Sequence, residues 1–211
     1  MPTVVLAQRS LPSTRSSFVA ARLASRLLAR AYTYGKDAEL ADNARASVLA
    51  CTQVQRTDGA WLYGELPYQN WVDSFHTGYN LECISEYQRY IEDRTFAKNL
   101  ESGLQYYLGN FFLDDGTPKY YDDGIYPVDI HAPAQFIVTL AKMSRWGDYK
   151  DMADKVMGWT IEKMQDRRRG YFYYQLKQRV PIRTIYMRWG QAWMFYALSF
   201  QVLEASNSVQ R

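Results

Sequence analysis

Residues 71–80 read WVDSFHTGYN, residues 127–136 read PVDIHAPAQF and residues 183–192 read RTIYMRWGQA. Aligned on Gly78, Ala134 and Gly190, the three stretches stand one period of 56 residues apart, and Tyr79, Gln135 and Gln191 follow in register. A period of that length marks a repeated supersecondary unit that must stack on its neighbours to bury a core. Each stretch follows a loop that opens on glycine and is rich in aromatics: DGAWLYGE from 58, DGTPKYY from 115 and RGYFYYQ from 169. The unit reads as loop, helix, turn, helix.

Working outward, apolar residues at helical spacing predict about seven helices. They fall near 16–34, closed by Gly35 as a C′ residue, and near 37–55, 72–92, 95–110, 131–145, 149–165 and 187–205. Only GYFYYQL at 170–176 reads as a strand. The two helices of a unit differ. The last helix is apolar nearly all round, with Trp189, Trp193, Tyr196 and Phe200 on one stripe, and is expected to be buried on most sides. DAELADNARASVL at 37–49 instead keeps its charges on one face. Inner helices alternating with outer amphipathic ones predict an all-α chain, an (α/α) toroid of helical hairpins that is incomplete. Gly78, Ala134 and Gly190 suit inner helices that converge. The whole of 1–211 reads as one domain, with 1–15 an irregular N-terminal segment.

Bulk composition narrows the partners. With 25 Lys+Arg against 22 Asp+Glu, net charge gives no pull towards nucleic acid or a membrane surface. The apolar run before Gln8 and Arg9 is too short for a signal-peptide core, and no 18-residue apolar run exists, so a cytoplasmic protein is expected. Cys51 and Cys83 have no further Cys or His at metal-ligand spacing; they read as buried free thiols, and neither metal nor cofactor is expected.

The runs DGAWLYGE, WVDSFHTGYNL, NFFLDDGTPKYY, YPVDIHAPAQ and IYMRWGQAWMFYALS resemble the C-terminal part of six-hairpin toroid proteins found with bacterial polysaccharide-biosynthesis genes. The resemblance covers about residues 16–200. It implies a fold similar to sugar epimerases, uronate C5-epimerases and unsaturated glucuronyl hydrolases, and a role in polysaccharide metabolism on an acidic, uronate-type saccharide. A complete ring would hold about twelve helices.

In a hairpin toroid the loops entering the inner helices gather at one end and make a cup. Asp73 and Asp129 are repeat equivalents, and His76 and His131, the only histidines, lie within a turn of the inner-helix starts. Histidine exchanges protons near neutrality, which epimerisation or elimination beside a carboxylate requires. Both Asp–His pairs are therefore candidate catalytic groups. The alternatives are that the aspartates cap their helices, or that they serve as general acid and base of a hydrolase. Trp61, Tyr63, Tyr120, Tyr126 and Trp189 form a candidate aromatic wall, and Glu65, Lys119, Gln135 and Gln191 candidate polar contacts. From Arg167 to Arg188 there are seven Arg or Lys and no acid, interleaved with Tyr171, Phe172, Tyr173 and Tyr174. That loop suits an anionic ligand, and Arg188 is the cation expected in the cup. Against the enzymatic reading stands a non-catalytic helical-repeat scaffold that binds glycan or protein. In either case an open toroid bares inner-helix faces, at Leu23, Leu27 and Trp193, and predicts a homo-oligomer or a covering partner.

Overall fold

The computed structural model describes residues 18–64, 66–178 and 180–209. Among them are seven helices: α1 (Phe18–Gly35), α2 (Ala38–Gln53), α3 (Ser74–Ile91), α4 (Ala97–Phe111), α5 (His131–Lys142), α6 (Trp146–Met164) and α7 (Ala192–Val209). Helices α1, α3, α5 and α7 pack side by side in chain order, and α2, α4 and α6 each pack on the inner helix before them. This is an incomplete α/α toroid. The connections at one end are short (36–37, 92–96 and 143–145), and those at the other are long (54–73, 112–130 and 165–191).

Local chemistry sets the boundaries. Asp37 caps α2 by accepting the Glu39 N–H at 2.9 Å. Gly35 does not serve as the left-handed closing residue; it stays helical, and Lys36 takes φ 52° with its N–H on the Tyr32 carbonyl at 2.8 Å. Helix α6 starts three residues before the expected position because a break at Tyr149 (φ −127°, ψ 22°) joins one early turn to the helix proper. Ahead of α7 the chain makes a π turn over Met187–Gln191.

The long connections overlap like shingles. Residues β1 (Val128–Asp129), β2 (Gln175–Leu176) and β3 (Pro181–Ile182) form a small antiparallel sheet in the order β1-β2-β3. The strand expected at 170–176 is thus only its last two residues, and Phe172 bridges to Gln165 instead. The second connection lies on the entry to α3 in the same way, with Asp73 bridged to Tyr121 and the Ser74 N–H on the Tyr120 carbonyl at 2.9 Å. Two loop glycines are obligatory. Gly59 (φ 97°) and Gly116 (φ 88°) turn so close to Ser102 and Lys155 that a Cβ would stand 2.4 and 2.5 Å from their carbonyl oxygens.

The core sits where inner helices meet. Helix α5 is buried from His131 through Leu140, because α3, α7 and α6 all pack on it. Helix α7 is not buried on most sides as its composition suggests: Phe195 is 76% exposed and Val202 66% exposed. It packs on α5 but has no inner helix beyond it, and Leu27 on α1, at the other end of the arc, is 70% exposed for the same reason. Close approach at Gly78 is confirmed, since a Cβ there would lie 2.7 Å from the Gln135 side chain across the α3–α5 contact.

A charge network crosses the same inner helices. Glu82 on α3, fully buried, meets Arg26 of α1 at 3.0 Å and Lys142 of α5 at 3.1 Å. Glu86, one turn on, meets Arg30 at 2.9 Å. Breaking one member of such a network leaves an uncompensated buried charge, at a cost of about 3–5 kcal/mol.

Candidate functional site

The N-terminal ends of the inner helices lie at the long-loop end, and the candidate histidines lie with them. Asp73 is the N-cap of α3, 1% exposed, and its carboxylate does two jobs. One oxygen accepts the His76 N–H at 2.9 Å, and the carboxylate takes the His76 Nδ1 at 2.7 Å. A carboxylate there selects the tautomer with its proton on Nδ1, leaving Nε2 as the basic nitrogen. Among the described residues Nε2 has no hydrogen-bond partner, and the ring is partly open to solvent.

Aromatic rings surround it. Tyr63 stacks on Trp71 at 4.5 Å and meets His76 edge-on at 4.8 Å. Phe75 lies 4.0 Å from His76 on one side and 5.1 Å from His131 on the other, and Tyr79 completes the bowl. Tyr120 leans on Phe75. Burial, reinforced by the Glu82 charge at Tyr79 and by Asp73 at Tyr120, raises both phenols, so they remain protonated donors at neutral pH.

His131 stands differently. It is fully buried, boxed by Phe75, Trp189 at 4.2 Å and Trp193 at 4.6 Å, and among the described residues neither ring nitrogen has a hydrogen-bond partner. Burial, with the neighbouring His76, pushes its pKa down to about 3, so it is neutral. Asp129 makes no hydrogen bond to its ring. It accepts the His131 N–H at 2.9 Å and the Gln175 Nε2–H at 2.8 Å, which ties the third connection to the entry of α5. Burial pushes the Asp129 carboxyl above its usual range, against hydrogen bonds that lower it.

The structure brings Asp73, His76, Tyr63, His131 and Trp189 into one cluster and leaves other candidates apart from it. Trp61 is buried, its Nε1–H on the Cys51 carbonyl at 3.0 Å and its ring against Gly103. Gln135 points into the α3–α5 seam and donates to Glu82 and to Thr139. Gln191 clamps the third connection, accepting the Phe172 N–H at 2.9 Å and donating to its carbonyl at 2.7 Å. Lys119 donates to the Asp122 carbonyl within its own loop. Tyr126 and Arg188 are exposed, Arg188 on the π turn beside Trp189. Glu65 lies outside the described residues, as does Arg179 of the basic loop.

Trp71, Phe75 and Tyr79 join the cluster although the sequence reading did not select them. Their signal was proximity to His76 within one quoted stretch. Neither thiol is in a disulfide among the described residues, both are buried, and burial pushes Cys83 up to about 12. Among the described residues no group of three or more His, Cys, Asp or Glu could hold a metal ion, and no helix is long and apolar enough to cross a membrane.

The fold is that of the α/α toroids. Solved structures agree on that fold. An unsaturated glucuronyl hydrolase specific for heparin superposes with a TM-score of 0.64 at 19% identity, covering 87% of this chain and 50% of that one. A family 76 glycoside hydrolase from a bovine Bacteroides thetaiotaomicron strain gives 0.69 at 12% identity, with coverages of 91% and 45%. An unsaturated glucuronyl hydrolase from Bacillus sp. GL1 gives 0.65 at 14%, with 85% and 57%. The chain therefore spans about half the length of these toroids. No family model and no curated protein matches the sequence.

Proposed function

We propose that this chain is the carbohydrate-binding part of a carbohydrate-active toroid, taking an acidic, uronate-type saccharide at the long-loop end. His76, oriented by Asp73, transfers the proton in epimerase, lyase or hydrolase chemistry. The observation that carries this reading is the His76 ring: one nitrogen held by a buried carboxylate, the other without a partner among the described residues, and the ring set in an aromatic bowl. A histidine so fixed is a general base with its basic nitrogen presented. Aromatic faces suit the apolar faces of sugar rings, and the exposed Arg188 and basic third loop suit a carboxylate. The toroid likeness to glycoside hydrolases supports the same class. With His131 enclosed, the first proton transfer falls to His76, and Asp129 holds the loop.

A thermal-shift screen of acidic against neutral oligosaccharides, followed by turnover assays on the binders, tests the reading. Acidic members raise Tm, and Trp71→Ala removes the shift. An equal response to neutral sugars refutes the acidic-substrate assignment.

The bare faces of α1 and α7 favour a completed ring, and we propose that another copy or a partner chain covers them. Light scattering at micromolar concentration then gives more than a monomer, and Phe195→Lys shifts it towards the monomer. A monomeric parent protein refutes closure by a second copy.

A further inference from the structure

The opposite end of the barrel carries a groove of about 590 Å³ between the C-terminal ends of α3 and α5 and the start of α4. Arg89, Arg94, Lys142 and Arg145 line it, with Glu92 as its one acid. We propose that this groove binds a small ligand carrying both an oxyanion and hydroxyl groups, of the sugar-acid or sugar-phosphate class.

Two of the four cations are already committed. Lys142 is shared between Glu82 and Glu86, and Arg145 is held by Glu101 at 3.0 Å and Asp148 at 2.6 Å. Arg89 and Arg94 have no carboxylate partner among the described residues; Arg89 lies over the Tyr90 ring at 5.6 Å. Basic residues at helix C-termini ordinarily complement the helix dipole, which accounts for Arg89 in the last turn of α3. It does not account for Arg94. That residue lies three positions before α4, where the dipole disfavours a cation, and α4 has no side-chain cap. An oxyanion at this point would meet both free guanidinium groups and the uncapped first turn.

The second observation is Gln88, on the same wall. Its side chain is nine-tenths buried, and its Oε1 has no hydrogen-bond partner. A buried acceptor left unpaired costs about 1–3 kcal/mol, and because Gln88 lines the groove, a half-turn of its amide would bring Oε1 to a ligand hydroxyl that satisfies it. Anion and hydroxyl recognition thus meet on one wall, at the opposite end of α3 from the aromatic bowl and independent of its function.

Isothermal titration calorimetry of the full chain with glucuronate, glucose 1-phosphate and inorganic phosphate tests the site. The sugar acid or sugar phosphate binds, and more weakly as salt rises. The double variant Arg89→Gln/Arg94→Gln, exposed at both positions, loses about tenfold or more in affinity with an unchanged circular dichroism spectrum. Glu92→Gln tightens binding by removing the repelling acid, and Trp71→Ala, at the other end, leaves it unchanged. Absence of binding by all three probes at millimolar concentration overturns the proposal. So does a double variant that binds as the parent does, or loss of binding in Trp71→Ala. Inorganic phosphate binding as tightly as the sugar forms refutes the role given to Gln88.

Discussion

The entries to α3 and α5 begin from aspartates one period apart, yet they make opposite environments for their histidines. Asp73 holds both the backbone and the ring of His76. Asp129 holds only the backbone of His131, whose ring stands unpartnered among Phe75, Trp189 and Trp193. The difference is one residue of spacing: His76 follows its aspartate by three positions and His131 by two. A helix turns about 100° per residue, so a side chain three positions after the cap lies back over it, whereas one two positions after points elsewhere. The same motif therefore yields an accessible, oriented base in one repeat and a sealed neutral imidazole in the next.

The sharpest way to break this contrast is at His76. His76→Gln is expected to lower turnover on a bound acidic saccharide by about 10²–10⁴-fold, with affinity and Tm nearly unchanged, since proton transfer acts in the transition state. Retained turnover would remove His76 from the chemistry.

Asp73 separates its two jobs next. Asp73→Ala should cost about 1–2 kcal/mol in denaturant unfolding through the lost cap, together with turnover. Asp73→Asn keeps an acceptor for the His76 N–H and should restore most of the stability while turnover stays low, because the amide no longer stabilises a charged imidazole. Asn restoring both would reduce Asp73 to a cap.

The third test concerns His131 and is expected to act on stability in acid. Its native pKa of about 3 lies below the ordinary histidine value of 6.5, so between those values the unfolded chain binds the extra proton. Stability should fall as pH drops from about 6.5 towards 3. Asp129, with its native pKa raised, works in the opposite sense and loses stability as pH rises through its own window. His131→Phe should flatten the acid limb of Tm against pH and leave Tm at neutral pH unchanged or slightly raised, since it removes unpaired polar atoms from an aromatic box. A fall of several degrees would mean the ring nitrogens are satisfied in solution.

Much of the fold was legible because burial has a period. The small residues Gly78, Ala134 and Gly190 and the entry aspartates Asp73 and Asp129 follow the 56-residue step, and the glycines that open the loops recur close to it, since each repeat solves the same packing problem. That step also separates Arg26 from Glu82, Arg30 from Glu86 and Glu86 from Lys142. The buried charge network was therefore readable as opposite charges one period apart on neighbouring helices, although only the aromatic and capping positions were selected.

What the sequence determined by itself is what local chemistry and repetition control: seven helices in hairpins, their order, and the gathering of both histidines and their aspartates at one end. What only the tertiary structure decided is exposure. Whether Trp61 lines a bowl or fills a seam, and whether Gln191 meets a ligand or clamps Phe172, depends on the paths of connections of about twenty residues. Those paths are set by contacts between residues far apart in the chain, for which hydrophobic period and helix-cap chemistry carry no signal.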